Sequence, residues 1–71
     1  MFEVGQQFII YAKDDSPRSS LHIEIMSVGL AVVFIKQVLE NGTDHFTWLE
    51  ITTGKNTGNC YFKTYIIEEE L

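Results

Sequence analysis

Apolar and polar side chains alternate at a period of two along most of this chain, and Gly, Asn, Asp or Pro interrupts the alternation at intervals. In the opening segment Phe2, Val4, Phe8, Ile10 and Ala12 fall on one side of an extended backbone, while Glu3, Gln7 and Lys13 fall on the other. Successive side chains of a strand point to opposite faces, so the pattern predicts a small antiparallel sheet with one dry face.

The first predicted strand runs from about Phe2 to Ala12, with Gly5 placed where a bulge or bend lets a long strand curl. Residues 13–20 collect most of the turn-forming types and the only proline, and form an exposed loop. Leu21, Ile23 and Ile25 alternate with His22, Glu24 and Met26 in a second strand, ending at a tight reversal over Ser27-Val28-Gly29 in which Gly29 is expected to supply a positive φ. Leu30 to Leu39 is apolar on both faces and fits a central strand buried twice over. The spacing of Leu30, Val33, Phe34 and Val38 also fits a helical stripe, but Val32, Val33, Ile35 and Val38 favour a strand, because β-branched side chains lose rotamer freedom in a helix.

Asn41-Gly42 is the strongest local turn signal, that of a type I′ hairpin, and should join the third strand to a fourth over His45–Ile51. A polar loop over residues 52–59 leads to a last strand, Cys60–Ile67, and Glu68-Glu69-Glu70-Leu71 is expected to fray. The expected fold is therefore all-β: one domain over residues 1–67, built as a five-stranded antiparallel, strongly bent sheet or partly open barrel of the SH3-like or OB-like kind, with residues 68–71 as an acidic tail. An α+β domain with a helix at about residues 30–40 is the alternative.

Seventy-one residues lie near the lower limit for a self-sufficient core, since a domain this small buries only roughly 60% of its unfolded surface. With 45% apolar residues and nine aromatics the chain has the means to fold nevertheless. Cys60 is alone, so neither an internal disulfide nor a thiolate cluster for zinc can form. The opening residues lack the basic and apolar segments of a secretory signal, and Glu24 and Lys36 break up the most apolar stretch, so a soluble cytoplasmic protein is expected. Of the net charge of −5, residues 1–36 carry −1 and residues 37–71 carry −4. Nucleic-acid affinity comes from Lys and Arg displacing counterions, so direct nucleic-acid binding is not expected, and a partner with a basic surface suits the chain better.

Candidate chemistry is sparse. His22 and Glu24 share a strand face, and His45 on a neighbouring strand would complete a metal or acid–base set, but polar residues opposite Leu21, Ile23 and Ile25 are also what a half-exposed strand requires. Residues 54–58 have the composition of a phosphate cradle without the spacing or the following helix of a P-loop. Cys60 has no base or cation beside it in sequence and fits a buried inert thiol. No catalytic residue, metal ligand or cofactor is assigned.

Phe46, Trp48, Tyr61, Phe62 and Tyr65 all fall in the last two predicted strands, where rings on a sheet face serve as core or as an interface. The leading expectation is a small acidic, non-enzymatic module that binds another protein and modulates or inhibits it. Trp48 and Tyr65 would be its anchors, and Glu40, Asp44, Glu50, Glu68, Glu69 and Glu70 its steering charges. Such a chain is similar in kind to the accessory proteins that bacteriophages encode to disarm host enzymes, some of which present carboxylates in place of nucleic-acid phosphates. The alternative is a homo-oligomeric β-barrel that holds a small ligand such as a nucleotide through Lys55, Asn56, Thr57 and Lys63.

Overall fold

The computed structural model describes residues 1–55 and 57–71. Six strands, all paired antiparallel, follow one another: β1 (Gln7–Ala12), β2 (Ser20–Val28), β3 (Val32–Gln37), β4 (His45–Thr53), β5 (Cys60–Phe62) and β6 (Tyr65–Glu70). No helix occurs among the described residues. The strands lie in the order β5-β4-β3-β2-β1-β6, so five of them form a meander and the sixth returns to the first, bending the sheet into a nearly closed barrel. The all-β expectation holds, and residues 30–40 carry β3 and not a helix.

The period-two pattern determines which face is dry. Phe8 and Ile10 of β1, Ile23 and Ile25 of β2, Val33 and Ile35 of β3 and Phe62 of β5 point inward and are buried together with Phe2. Phe2 lies before β1 because the chain turns at Glu3–Gln6, where Gly5 adopts φ +94°. The Gly5 N–H donates to the Ile25 carbonyl at 2.8 Å and the Ile25 N–H to the Gln6 carbonyl at 2.9 Å, so this turn is stitched to β2. Phe2 thereby swings back over the interior, stacking on Phe62 at 4.6 Å between centroids, while Phe8 meets both rings edge-on.

Four local expectations are corrected. The last predicted strand is broken at Lys63-Thr64, which yields six strands instead of five: the Lys63 N–H donates to Glu50 of β4, whereas Thr64 accepts from the Lys13 N–H just past β1. The backbone groups of these two adjacent residues thus join β4 on one side and β1 on the other, so the short link between β5 and β6 is tied to both neighbouring strands. Glu68–Glu70 does not fray but continues β6, with Glu69 opposite Ile9, Glu70 opposite Phe8, and the Leu71 N–H donating to Gln7.

Asn41-Gly42 is not a type I′ hairpin. Only Gly42 has positive φ, at +78°, and it closes a turn onto the Leu39 carbonyl within a longer connection, while the Asn41 side chain accepts from the Thr43 N–H. Gly29 likewise makes its turn without positive φ, its N–H donating to Val32.

Gly5 marks a testable constraint. A side chain there meets open space, so Gly5→Ala is opposed only by the backbone angle. The variant is expected to lose about 1–2 kcal/mol, read as a lower urea midpoint at unchanged slope. An unchanged midpoint would show that the turn holding Phe2 does not need the left-handed conformation.

Candidate functional site

The inner face consumes the aliphatic residues of β3, and its alternate positions are turned outward. The register pairs Val32 with Glu50, Phe34 with Trp48 and Lys36 with Phe46 across β3 and β4. The Ile51 N–H bonds to Ala31, so odd-numbered β4 residues direct their backbone groups at β3, and Phe34–Trp48 and Lys36–Phe46 are non-hydrogen-bonded pairs, in which opposed side chains come closest. Phe34 accordingly contacts both rings, at 4.8 Å from Trp48 and 5.8 Å from Phe46, the latter nearly parallel.

These rings are not core. Trp48 is 57% and Phe46 54% exposed, and even the inward-directed His45 and Thr47 are exposed, so this end of the β3–β4 hairpin extends past the packed interior. Scattered exposed apolar residues are ordinary, but Phe46 and Trp48 each packed against Phe34 on one face are a patch. The same hairpin carries three exposed carboxylates: Glu50 two residues beyond Trp48, Asp44 two residues before Phe46, and Glu40 in the β3–β4 connection, which lines a cleft with Leu21 and His22. Glu50 lies 3.7 Å from Lys63, a solvent-facing pair that contributes little to stability. Glu40 and Asp44 have no ion-pair partner among the described residues.

Of the residues expected at a partner surface, Trp48, Asp44, Glu50 and Glu40 therefore lie on the β3–β4 hairpin, Glu40 in its connection beside Leu21 and His22. The others are elsewhere. Tyr65 is half-buried against the core, and the β6 carboxylates are partly engaged at the far end of the strand order, where Glu68 takes Arg18 at 3.5 Å and the Ser20 hydroxyl at 3.1 Å, and Glu70 takes the Gln6 amide. Glu69 stands exposed beside them, opposite Ile9. Phe34, expected in a strand buried on both faces, and Phe46, not among the expected anchors, join Trp48 here; the usable signal is that Phe34 shares its parity with Lys36 and not with Val33 and Ile35.

The histidine set separates. His22 and Glu24 share the outer face, where His22 meets the Gln7 side chain at 2.7 Å and Glu24 lies 3.8 Å from Lys36, whereas His45 pairs with Gln37 on the opposite face. No group of three potential metal ligands forms among the described residues.

The phosphate-cradle residues do not converge either. Thr57 is bonded to the Asn59 N–H and the Tyr61 hydroxyl, Lys63 is turned to Glu50 across the length of β5 from Lys55, and Asn56 lies outside the described residues. Hydrogen bonds from Thr57 first, and then Asn59, lower the Tyr61 phenol from its ordinary pKa. A cavity of about 380 Å³ opens between β5 and β6 beside Tyr61, Phe62, Tyr65 and Ile66, but the ammonium at its rim, Lys13, already donates to the Lys63 carbonyl at 3.0 Å. Among the described residues, no helix is long and apolar enough to cross a membrane.

No protein-family model, curated protein or solved structure matches this chain.

Trp48 is the only tryptophan and reports directly on this face. In the isolated chain its fluorescence is expected to peak at the long wavelengths of a hydrated indole and to be quenched by acrylamide nearly as well as the free amino acid. A short-wavelength, quencher-resistant emission would mean that the face is covered.

Proposed function

We propose that this chain is a small acidic, non-enzymatic protein-binding module of the cytoplasm that modulates or inhibits its partner, with Phe34, Phe46 and Trp48 as the gripping surface. The observation that carries this is the ring cluster on the β3–β4 hairpin, in which the exposed Phe46 and Trp48 both pack against Phe34, with exposed carboxylates on the same hairpin. Binding energy at protein interfaces concentrates in a few buried aromatic or arginine anchors, while peripheral charges set encounter rate and partner choice. A Trp and a Phe already packed against a second Phe lose little further freedom when covered, which favours their use as anchors.

Glu40, Asp44 and Glu50 make the hairpin negative, so the complementary surface is basic and apolar. A nucleic-acid partner suits it poorly, because phosphates would meet carboxylates. Mimicry of a phosphate array, the device of some phage accessory proteins, would use Glu68–Glu70 as well, but those lie on β6 with Glu68 and Glu70 engaged within the chain. Protein binding through the aromatic face is therefore favoured over charge mimicry alone. The homo-oligomeric ligand-binding alternative has less support, since its cationic groups are dispersed or paired.

The test compares what the immobilised wild-type chain and its Trp48→Ala variant retain from their native lysate. Because Trp48 is exposed and outside the core, the variant should fold normally. It is expected to weaken the specific complex by about 2 kcal/mol or more, roughly thirtyfold, and raised salt should weaken the wild-type complex further. A partner whose retention is indifferent to both changes would sink the proposal.

A further inference from the structure

We propose that this face binds its partner by strand addition: an extended basic segment of the partner pairs with the free edge of β4 over Phe46 and Trp48. The proposal rests on the protein-binding function above and specifies how that surface is used. β5 covers β4 only at Ile51–Thr53, with one further bond from the Lys63 N–H to the Glu50 carbonyl. Since Glu50 directs that carbonyl away from β3, the alternation of a regular strand directs the N–H and C=O groups of Trp48 and Phe46 the same way. Four backbone groups thus face away from β3 along an edge with no neighbouring strand among the described residues.

Protected edges carry lysine, proline or a bulge, or are covered by another element. His45–Glu50 contains no lysine or proline, and its register with β3 is unbroken. It presents aromatic side chains beside the free backbone groups, the arrangement on which an added strand gains main-chain bonds and side-chain selection together.

The chemistry of the added segment follows from the alternation. Asp44, Phe46, Trp48 and Glu50 occupy successive alternate positions, placing two rings between two carboxylates. Opposed side chains on an antiparallel pair interact directly, so the incoming segment would set basic residues against the ends and an apolar or guanidinium group against the rings. The chain already contains one such arrangement, in which Arg18 lies 4.3 Å over the Tyr11 ring and 3.5 Å from Glu68.

A second copy of the chain fits less well. A two-fold pairing of β4 centred on Thr47 would oppose Asp44 of one copy to Glu50 of the other, and one centred on Trp48 would oppose Phe46 to Glu50, with a charge of −5 on each chain adding repulsion.

The experiment titrates the full-length chain, followed by Trp48 fluorescence, with an end-capped nonapeptide alternating arginine and threonine around a central valine. A control peptide is N-methylated at those residues whose N–H groups would face β4. Light scattering gives the oligomeric state.

The expected result is a monomer that binds the first peptide, binds the N-methylated one at least about tenfold more weakly, and shows slowed amide exchange at Phe46 and Trp48 on binding. Equal binding of both peptides, abolished by Trp48→Ala, would overturn strand addition while leaving the protein-binding function standing. Binding of neither peptide would overturn the proposal, as would a dimer in solution protected along β4.

Discussion

Three phenyl rings seal the interior of this nearly closed sheet. The two outermost strands, β5 and β6, follow one another through Lys63-Thr64, whose backbone groups bond β4 and β1, and do not pair with each other side by side. Phe62 of β5 instead meets Phe8 of β1 inside, and Phe2, returned by the Gly5 turn, stacks on Phe62 and contacts Phe8. In a chain this short the buried set is small, and these three residues supply much of its area. The bend at Lys63-Thr64 follows from the same requirement, since the chain must leave β4 and reach β1 for Phe62 to face inward on one side of the gap and Tyr65 on the other.

Once the inner face is filled in this way, with Tyr65 packed against it, the rings of β3 and β4 take the outer face. β3 shows the division most clearly: Val33 and Ile35 are fully committed to the core, and Phe34 between them is turned to Trp48 and Phe46. The hairpin carrying these rings extends beyond the interior, where β5 does not reach, and so leaves both a face and an edge without partners among the described residues. The acidic residues of the C-terminal half then divide by position: Arg18 and Gln6 hold Glu68 and Glu70 against the body of the domain, while Glu40, Asp44 and Glu50 are exposed on the β3–β4 hairpin.

The sheet itself was legible because parity is a local property: Phe8, Ile10, Ile23 and Ile25 announce their face in a few residues each. Where the chain breaks was not legible, because Lys63 and Thr64 interrupt no hydrophobic period and their bend is imposed by two distant strands, β4 and β1. Glu68–Glu70 looked like a tail for the same reason, since pairing with Phe8 and Ile9 joins residues some sixty positions apart. Asn41-Gly42 misled in another way: the turn lies where expected, but the longer connection lets Asn41 keep an ordinary backbone angle and use its side chain on Thr43. For the site, Trp48 and the three carboxylates of its hairpin were visible as residue types. The third ring was hidden because Phe34 lies in a run of apolar residues whose two faces differ only by register.

Core and surface thus share one cause, the use of Phe2, Phe8 and Phe62 to seal the interior of the sheet, and the coupling between the first and last of these is the most direct test of it. A double-mutant cycle of Phe2→Ala and Phe62→Ala, measured by urea unfolding, should return an interaction energy of about 1 kcal/mol or more, because each ring loses its stacking partner when the other is removed. Strictly additive losses would contradict the account, since they would mean that the contact between these two rings contributes nothing to holding the closed sheet.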